Sequence, residues 1–228
     1  WYAIADSAQD KSLPAAILAP GADVRCLLGA TQGSPLAGQS PHLVRMDRPT
    51  PDSAAWQWIA RNAPRKPCAT VLASSLSFDA LFGQLKQFTE IRLPDDYDMF
   101  FGFWDPAILG TLVGQADDAT LHVKGPVFDL EQRRMLFGGL AGWWYWDRDG
   151  GLHAVDVGAD APPVRLAKPI MLTQDQVDDL VEASVPDHVL YFVDLNQPHL
   201  LRDIPERQRY AHVEQALNGA RAIGLRGM

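Results

Sequence analysis

Residues 100–106 read Phe-Phe-Gly-Phe-Trp-Asp-Pro, and this stretch decides how the centre of the chain folds. Its four aromatic residues in five positions predict a buried strand. Asp105 is a favoured helix N-cap, and Pro106 suits the first helical position, where its missing N–H costs nothing. The strand should therefore turn directly into a helix that Gly114 can end, so Trp104, Asp105 and Pro106 are assigned structural roles. The apolar face of that helix would carry Ile108, Leu109, Leu112 and Val113.

Segments on both sides alternate between the spacing of a strand and the spacing of a helix. Residues 69–73 and 90–93 predict strands. Between them, apolar side chains from Phe78 to Phe88 recur at helical spacing after Ser77, a suitable N-cap. This alternation predicts an α/β fold, with a mixed-sheet amino-terminal lobe over residues 1–157. The other expected elements of this lobe are strands at 2–5, 24–28 and 42–46, a helix around Leu13 to Leu18, and a helix bearing Trp56 and Ile59.

The predicted secondary structure changes from alternating strands and helices to helices alone in the last third of the sequence. Residues 158–169 contain three prolines and predict a linker. Residues 170–228 predict a smaller helical lobe, which we expect to be incomplete at its end, just as residues are expected to be missing before Trp1. Its first helix should begin at a capping box, Thr173 to Gln176, and end at Pro186. The apolar segment 187–196 is interpreted as a further helix, and Pro205 should begin the last one.

Composition limits the classes of partner and the location. The 228 residues carry a formal net charge of −8, which argues against nucleic acid or an anionic membrane as a partner. No apolar run approaches the ~20 residues that cross a bilayer. Cys26 and Cys68 lie in separate apolar runs, which is typical of buried thiols in a reducing compartment. We therefore expect a cytoplasmic protein.

The residue pattern predicts no catalytic residue, metal site or cofactor. The segment from Gly38 to His42 approaches the nucleophile-elbow pattern around Ser40, but His42 stands where that pattern needs glycine. The densest group of possible metal ligands matches no zinc-site spacing and is interpreted as a solvated polar edge. That group is His188, Asp194, His199 and Asp203.

An aromatic run at residues 143–146 offers two interpretations. Residues 142–146, a turn at 147–151 and residues 152–157 predict a β-hairpin, so alternate aromatic side chains point to opposite faces. Either both faces are core, or one face is exposed for a partner, because Trp and Tyr are enriched at binding hot spots. We predict a partner-binding surface on the second interpretation. It consists of Trp143, Tyr145, Tyr191 and Phe192.

Short segments along the chain, in their order, resemble the motifs of one family. The chain thereby resembles the type VI secretion effector adaptor/chaperone family, formerly a domain of unknown function. The resemblance covers most of residues 2–126, and the helical lobe more loosely. The segments are Tyr2–Ala8, Cys26–Gly29, Ser40–Val44, Leu81–Phe88, Phe101–Pro106, Gly125–Pro126 and Ala220–Leu225, with Trp56 or Trp58 at a position where the family has Trp.

The resemblance implies a non-enzymatic cytoplasmic protein. Such a protein binds a toxic effector protein and helps to load it onto the VgrG spike, without a cofactor, and its carboxyl-terminal part sets specificity. Two other functions remain open. One is an immunity-type inhibitor of a toxin, and the other is a small serine hydrolase that uses Ser40 or the region of His188 and His199.

Overall fold

The computed structural model describes residues 1–10, 12–13, 23–31, 33–158 and 161–225. It has the α/β fold that the sequence predicts, whereas the helix expected around Leu13 to Leu18 lies outside the described residues apart from its first position. The strands are β1 (Tyr2–Asp6), β2 (Val24–Cys26), β3 (Pro41–Arg45), β4 (Ala69–Ser74), β5 (Glu90–Arg92), β6 (Asp98–Phe100), β7 (Leu140–Trp146), β8 (Leu152–Val155) and β9 (Ile170–Met171). The helices are α1 (Ala54–Asn62), α2 (Phe78–Lys86), α3 (Pro106–Val113), α4 (Leu130–Leu136), α5 (Gln174–Asn196) and α6 (Glu206–Ala222), with 3₁₀ turns at Ala37–Gln39 and Pro198–Leu201.

The strands form two sheets. The larger has the order β2-β3-β1-β4-β7-β8, and every neighbouring pair in it is antiparallel. The smaller has the order β6-β5-β9, in which β5 pairs antiparallel with β6 and parallel with β9. The mixed arrangement that the sequence predicts is therefore confined to the small sheet.

The large sheet is buried on both faces, because alternate residues of its central strands enter different cores. In β4, Leu72 packs in one core and Val71 in the other. The first core also contains side chains of α2, α3 and the small sheet, whereas the second lies under Ile59 of α1. A strand in the middle of this sheet thus needs apolar residues at consecutive positions rather than at alternate ones.

The strand-to-helix corner predicted at residues 100–106 is confirmed at its helical end and wrong at its strand end. Asp105 Oδ1 accepts a hydrogen bond from the N–H of Ala107 (3.0 Å), and Gly114 ends α3 with a φ of 73°. The strand, however, ends at Phe100, and its three residues are exposed. The buried aromatics follow it in a turn, from which their long side chains reach the core without a strand ladder. They are Phe101, Phe103 and Trp104.

Helix α4 is an element that the sequence interpretation missed. Asp129 Oδ1 accepts from the N–H of Gln132 (2.8 Å), and Gln132 Oε1 accepts from the N–H of Asp129 (3.0 Å). The sequence contains the signal for this capping box, the pattern Asp-x-x-Gln at the start of a short segment that ends in Leu136. The run is brief, and its apolar periodicity is correspondingly weak.

The prediction that Pro186 ends its helix is wrong, and the prediction of helix over 187–196 is confirmed as part of the same element. Helix α5 runs without interruption through Pro186, which is buried. A proline here removes one backbone donor and usually kinks or ends a helix. Contacts hold α5 on both sides of the proline, and they override this local preference, as described below.

Residues 161–169 contact the amino-terminal elements closely. The N–H of Val164 donates to Gln84 Oε1 (2.9 Å), and the N–H of Leu166 donates to Gln87 Oε1 (2.7 Å). Both side chains come from α2 or its end, and Val164 and Leu166 pack against the first core. The division at a linker into two lobes stays a prediction.

Two simpler expectations can be compared directly with the structure. Cys26 and Cys68 are buried and free, as predicted, and burial raises the pKa of the Cys68 thiol to about 11. Within the described residues, no helix combines the length and the apolar character that crossing a membrane requires.

Candidate functional site

The structure separates the four predicted partner-binding residues into two pairs. Trp143 and Tyr145 have no exposed surface, so their assignment to a binding surface is wrong. Tyr191 and Phe192 lie on α5 with 63% and 51% of their surface exposed, and their rings contact each other edge-on at 5.6 Å. Only the second pair is therefore placed where a partner could reach it.

Trp143 and Tyr145 are buried because β7 is an inner strand of the large sheet. The Trp143 ring packs edge-on against Phe103 at 6.0 Å and Phe137 at 6.4 Å. The Tyr145 hydroxyl donates to Asp118 Oδ2 (2.9 Å). On the opposite face, Trp144 packs against the second core. The interpretation of this run as a two-sided core is the one that the structure supports.

Contacts with the rest of the chain fix α5 both before and after Pro186. At its start, Gln176 completes the predicted capping box with Thr173 and also donates to the carbonyl of Val127 (2.7 Å). Val177 and Leu180 then pack against the first core.

Immediately beyond Pro186, the β7–β8 turn holds the helix. Arg148 in that turn donates from both terminal nitrogens to the carboxylate of Asp187, at 3.0 and 2.5 Å. The same guanidinium lies 3.7 Å from the centre of the Tyr210 ring on α6. Burial raises the pKa of Tyr210 to about 12. Arg148 thus joins one turn of the sheet to both long helices.

His122 makes a second link between the same two helices and the segment that follows α3. Its Nε2 lies 2.9 Å from Glu182 Oε1 on α5, and its Nδ1 lies 3.0 Å from Glu214 Oε1 on α6. The imidazole is 7% exposed. Glu182 also accepts two hydrogen bonds from Arg221, one of them at 2.9 Å. Helices α5 and α6 are therefore packed together and tied to the rest of the chain through charged groups.

With these contacts in place, one face of α5 is left uncovered. Five of its side chains follow a 3-4 spacing and fall within about 80° on a helical projection, away from Glu182 and Asp194, which contact α6. Val181, His188, Phe192 and Leu195 are exposed, and Val185 is half-buried. We call this set the α5 seam: Val181, Val185, His188, Phe192 and Leu195.

The seam continues the surface by which α5 packs on the core. Val177 and Leu195 are eighteen residues apart, which is five helical turns, so they lie on the same side of the helix. Val177 is packed against the first core, but Leu195 is 62% exposed. Tyr191, eleven residues after Leu180, lies beside the seam. An apolar surface of this length, uncovered over its second half, can bind an apolar surface of a partner.

The charges along α5 have one sign. The helix contains six acidic residues and no lysine or arginine. Three of the six are paired with arginines outside the helix, namely Glu182, Asp187 and Asp194. Among the described residues, Asp175, Asp178 and Asp179 have no ion pair, and all three are exposed. Of these three, Asp178 borders the start of the seam, so that end of the seam carries a negative charge that is unpaired within the described part of the chain.

One group of possible metal ligands comes together beside the β7–β8 turn. Asp118, Asp147 and His153 have ligand atoms within 4.8 Å of one another. These atoms are already hydrogen-bonded, since His153 Nε2 lies 2.8 Å from Asp147 Oδ2 and Tyr145 donates to Asp118. Burial lowers the pKa of His153 and the carboxylates of Asp147 and Asp117 raise it, with a net upward shift. The group acts as a hydrogen-bond network that holds the turn.

The residues suggested for hydrolysis are not arranged for it. Ser40 is fully buried, and its hydroxyl donates to the carbonyl of Leu36 (2.6 Å). His188 and His199 are exposed on α5 and on the 3₁₀ turn that follows it. The solvated polar edge predicted for this region agrees with the exposure of Asp194 and Asp203.

The sequence interpretation missed most of the seam. The signal was present as the spacing 181, 185, 188, 192, 195 in apolar residues and one histidine. Because Pro186 was expected to end the helix, the two halves of the spacing were assigned to different elements and the pattern was lost. Tyr191 and Phe192 were found through their aromatic character alone.

A comparison with known families finds one match. A sequence model described as Domain of unknown function (DUF4123) matches residues 1–122. The match therefore covers more than half of the chain and ends at His122, before α4, β7 and the two long helices. No curated protein and no solved structure matches the chain.

Proposed function

The chain belongs to the DUF4123 family, and we propose that it is a non-enzymatic adaptor that binds a type VI secretion effector and helps to load it onto the VgrG spike. The motif resemblance along residues 2–126 supports this function. The observation that carries it is the α5 seam, an uncovered apolar surface on a helix fixed by Arg148 and His122. An adaptor needs such a surface on a rigid support.

The proposal places the protein in the cytoplasm, where an effector must be bound before secretion. Its acidic character, with a net charge of −8, fits a protein partner better than a nucleic acid or an anionic membrane. The buried thiols of Cys26 and Cys68 agree with a reducing compartment. No cofactor takes part in the proposed function.

A secretion assay tests this function. The host strain should be compared with a strain lacking the chain, for delivery of the toxin encoded beside it and of a toxin encoded elsewhere. We expect the first toxin to be lost and the second to be delivered as before. Equal delivery of both toxins by the two strains would contradict the proposal.

The same strains separate an adaptor from an immunity-type inhibitor. An inhibitor protects its own cell, so its loss makes the strain sensitive to its toxin, whereas loss of an adaptor stops delivery. Survival of the deletion strain in contact with wild-type cells is the measurement. Killing of that strain, with its own delivery intact, identifies an inhibitor.

A further inference from the structure

The spacing of the α5 seam describes the shape of what can bind it. Its positions advance by four, three, four and three residues, which is the heptad spacing of a coiled-coil interface. Side chains with this spacing form ridges separated by grooves. The side chains of a second helix fit into these grooves at a shallow crossing angle. An extended strand has a period of two and does not match it.

The length of the seam fixes the length of the partner segment. From Val181 to Leu195 the helix rises roughly 21 Å, or four turns. Val181, Phe192 and Leu195 are each more than half exposed, so the surface can be reached at both ends of the seam, while Val185 between them is half-buried. A partner helix of about fifteen residues would cover it.

Charge favours a basic partner over a second copy of this chain. Two α5 helices packed through their seams would place each Asp178 beside a helix that has no lysine or arginine to pair with it. Asp178 borders the seam one turn before Val181 and has no ion pair in the described part of the chain. Lysine or arginine on a partner helix would instead be attracted there.

We propose that the α5 seam binds a basic amphipathic helix of the effector, about four turns long, with apolar residues at 3-4 spacing and lysine or arginine opposite Asp178. This inference rests on the proposed adaptor function and adds the chemistry of the bound segment. Docking would also cover Tyr191 beside the seam. The bound helix would lie along α5 in continuation of the core surface formed by Val177 and Leu180.

The experiment uses the purified chain and the toxin encoded beside it, both intact and as overlapping synthetic peptides of 25 residues. Binding is measured by fluorescence anisotropy, and the helicity of each bound peptide by circular dichroism. We expect the tightest peptide to contain the 3-4 apolar spacing with basic residues and to gain helix on binding. A tightest peptide that lacks this pattern, or that stays non-helical, overturns the proposal.

Substitutions of Phe192 test whether the peptide binds at the seam. Phe192→Ala should weaken peptide binding ~30-fold or more, because Phe192 is the aromatic residue of the seam and truncation of an aromatic hot spot is among the largest losses at an interface. Phe192→Asp, a stronger change at the same exposed position, should abolish it. Leu130→Ala is the matched control, since Leu130 is 72% exposed on α4, outside the seam, and should leave binding unchanged. Wild-type affinity in a folded Phe192→Asp variant overturns the proposal.

A charge variant and a mass measurement complete the test. Asp178→Lys should weaken binding roughly 5-fold and reduce its dependence on salt. Light scattering measures whether the chain self-associates. If it does, and if Phe192→Asp abolishes the self-association, a second copy occupies the seam and the proposal is overturned. If the intact toxin binds but not through the seam, this inference fails and the adaptor function stands. If the intact toxin does not bind, the adaptor function itself fails.

Discussion

His122→Ala should loosen α5 and α6 from the rest of the chain. In the structure, both ring nitrogens of His122 face carboxylates, one on each helix, at 2.9 and 3.0 Å. Removing the ring leaves Glu182 and Glu214 without this partner and leaves two negative groups close together. Arg221 still holds Glu182, so the loss falls mainly on the link to the segment after α3.

The expected cost can be worked out from these two contacts. A hydrogen bond to a charged group contributes about 1.5–3 kcal/mol. The side chains of Glu182 and Glu214 are 39% and 28% exposed, so solvent screens part of each contribution. We therefore expect a total loss of about 2–3 kcal/mol in the free energy of unfolding. For a chain of this size, that lowers the melting temperature by roughly 4–12 °C.

Thermal melting followed by circular dichroism measures this loss, and amide hydrogen exchange locates it. Exchange should accelerate in α6 and in α5 around Glu182, and should change little in β1 and β4. His188→Ala is the matched control, because His188 is exposed on α5 and should melt within about 1 °C of wild type. A His122→Ala variant that melts like this control, with unchanged exchange in α6, would refute the reasoning.

Three further predictions concern the core and the corner at α3. Trp143→Ala should lower the free energy of unfolding, measured with urea, by about 3–5 kcal/mol because its ring is fully buried. Phe192→Ala should change it by less than about 0.5 kcal/mol because this side chain is exposed. Equal costs would contradict the assignment of Trp143 to the core and Phe192 to the surface. Asp105→Ala, compared with wild type at about pH 4, should lose a helix cap worth about 1 kcal/mol, and an unchanged urea midpoint there would show that this cap does not stabilise α3. Burial raises the pKa of Asp105 to about 6, above its value in an unfolded chain, so its protonated form favours folding; this contribution is complete below about pH 4 and is lost as the pH rises through about 6. Asp105→Asn keeps a capping oxygen but not the charge, so its stability relative to wild type should increase between pH 4 and 7, and a constant difference would contradict the shift.

Local signals in the sequence were sufficient wherever a structure depends on neighbouring residues. The Asp105–Pro106 cap, the Ser77 cap and the Thr173 capping box all lie where they were predicted. Each is a hydrogen bond between a side chain and a backbone group two or three residues away, so the sequence contains both partners. The capping box of α4 at Asp129 and Gln132 is an equally local signal, and it would have predicted this helix.

The sequence failed where the outcome depends on distant residues. Pro186 lies inside a helix that distant residues hold on both sides of it: Arg148, nearly forty residues earlier, binds Asp187 just beyond the proline, and Val177 and Leu180 pack on the core before it. Trp143 is core because β7 lies between β4 and β8, a pairing that the local pattern of aromatics does not reveal. The α5 seam could not be predicted without both facts. Its spacing is continuous only if Pro186 lies inside one helix, and the sequence interpretation had placed the binding surface partly on Trp143 and Tyr145, which are buried.

Reconstitution with purified proteins tests the proposed adaptor function directly. The chain, the neighbouring toxin and the VgrG protein encoded with them are purified separately, mixed, and separated by size-exclusion chromatography with light scattering. We predict that toxin and VgrG elute together only when the chain is present, and that Phe192→Asp abolishes this joint elution while Leu130→Ala preserves it. Joint elution of toxin and VgrG without the chain, or failure of the wild-type chain to bind the toxin, would contradict the adaptor function.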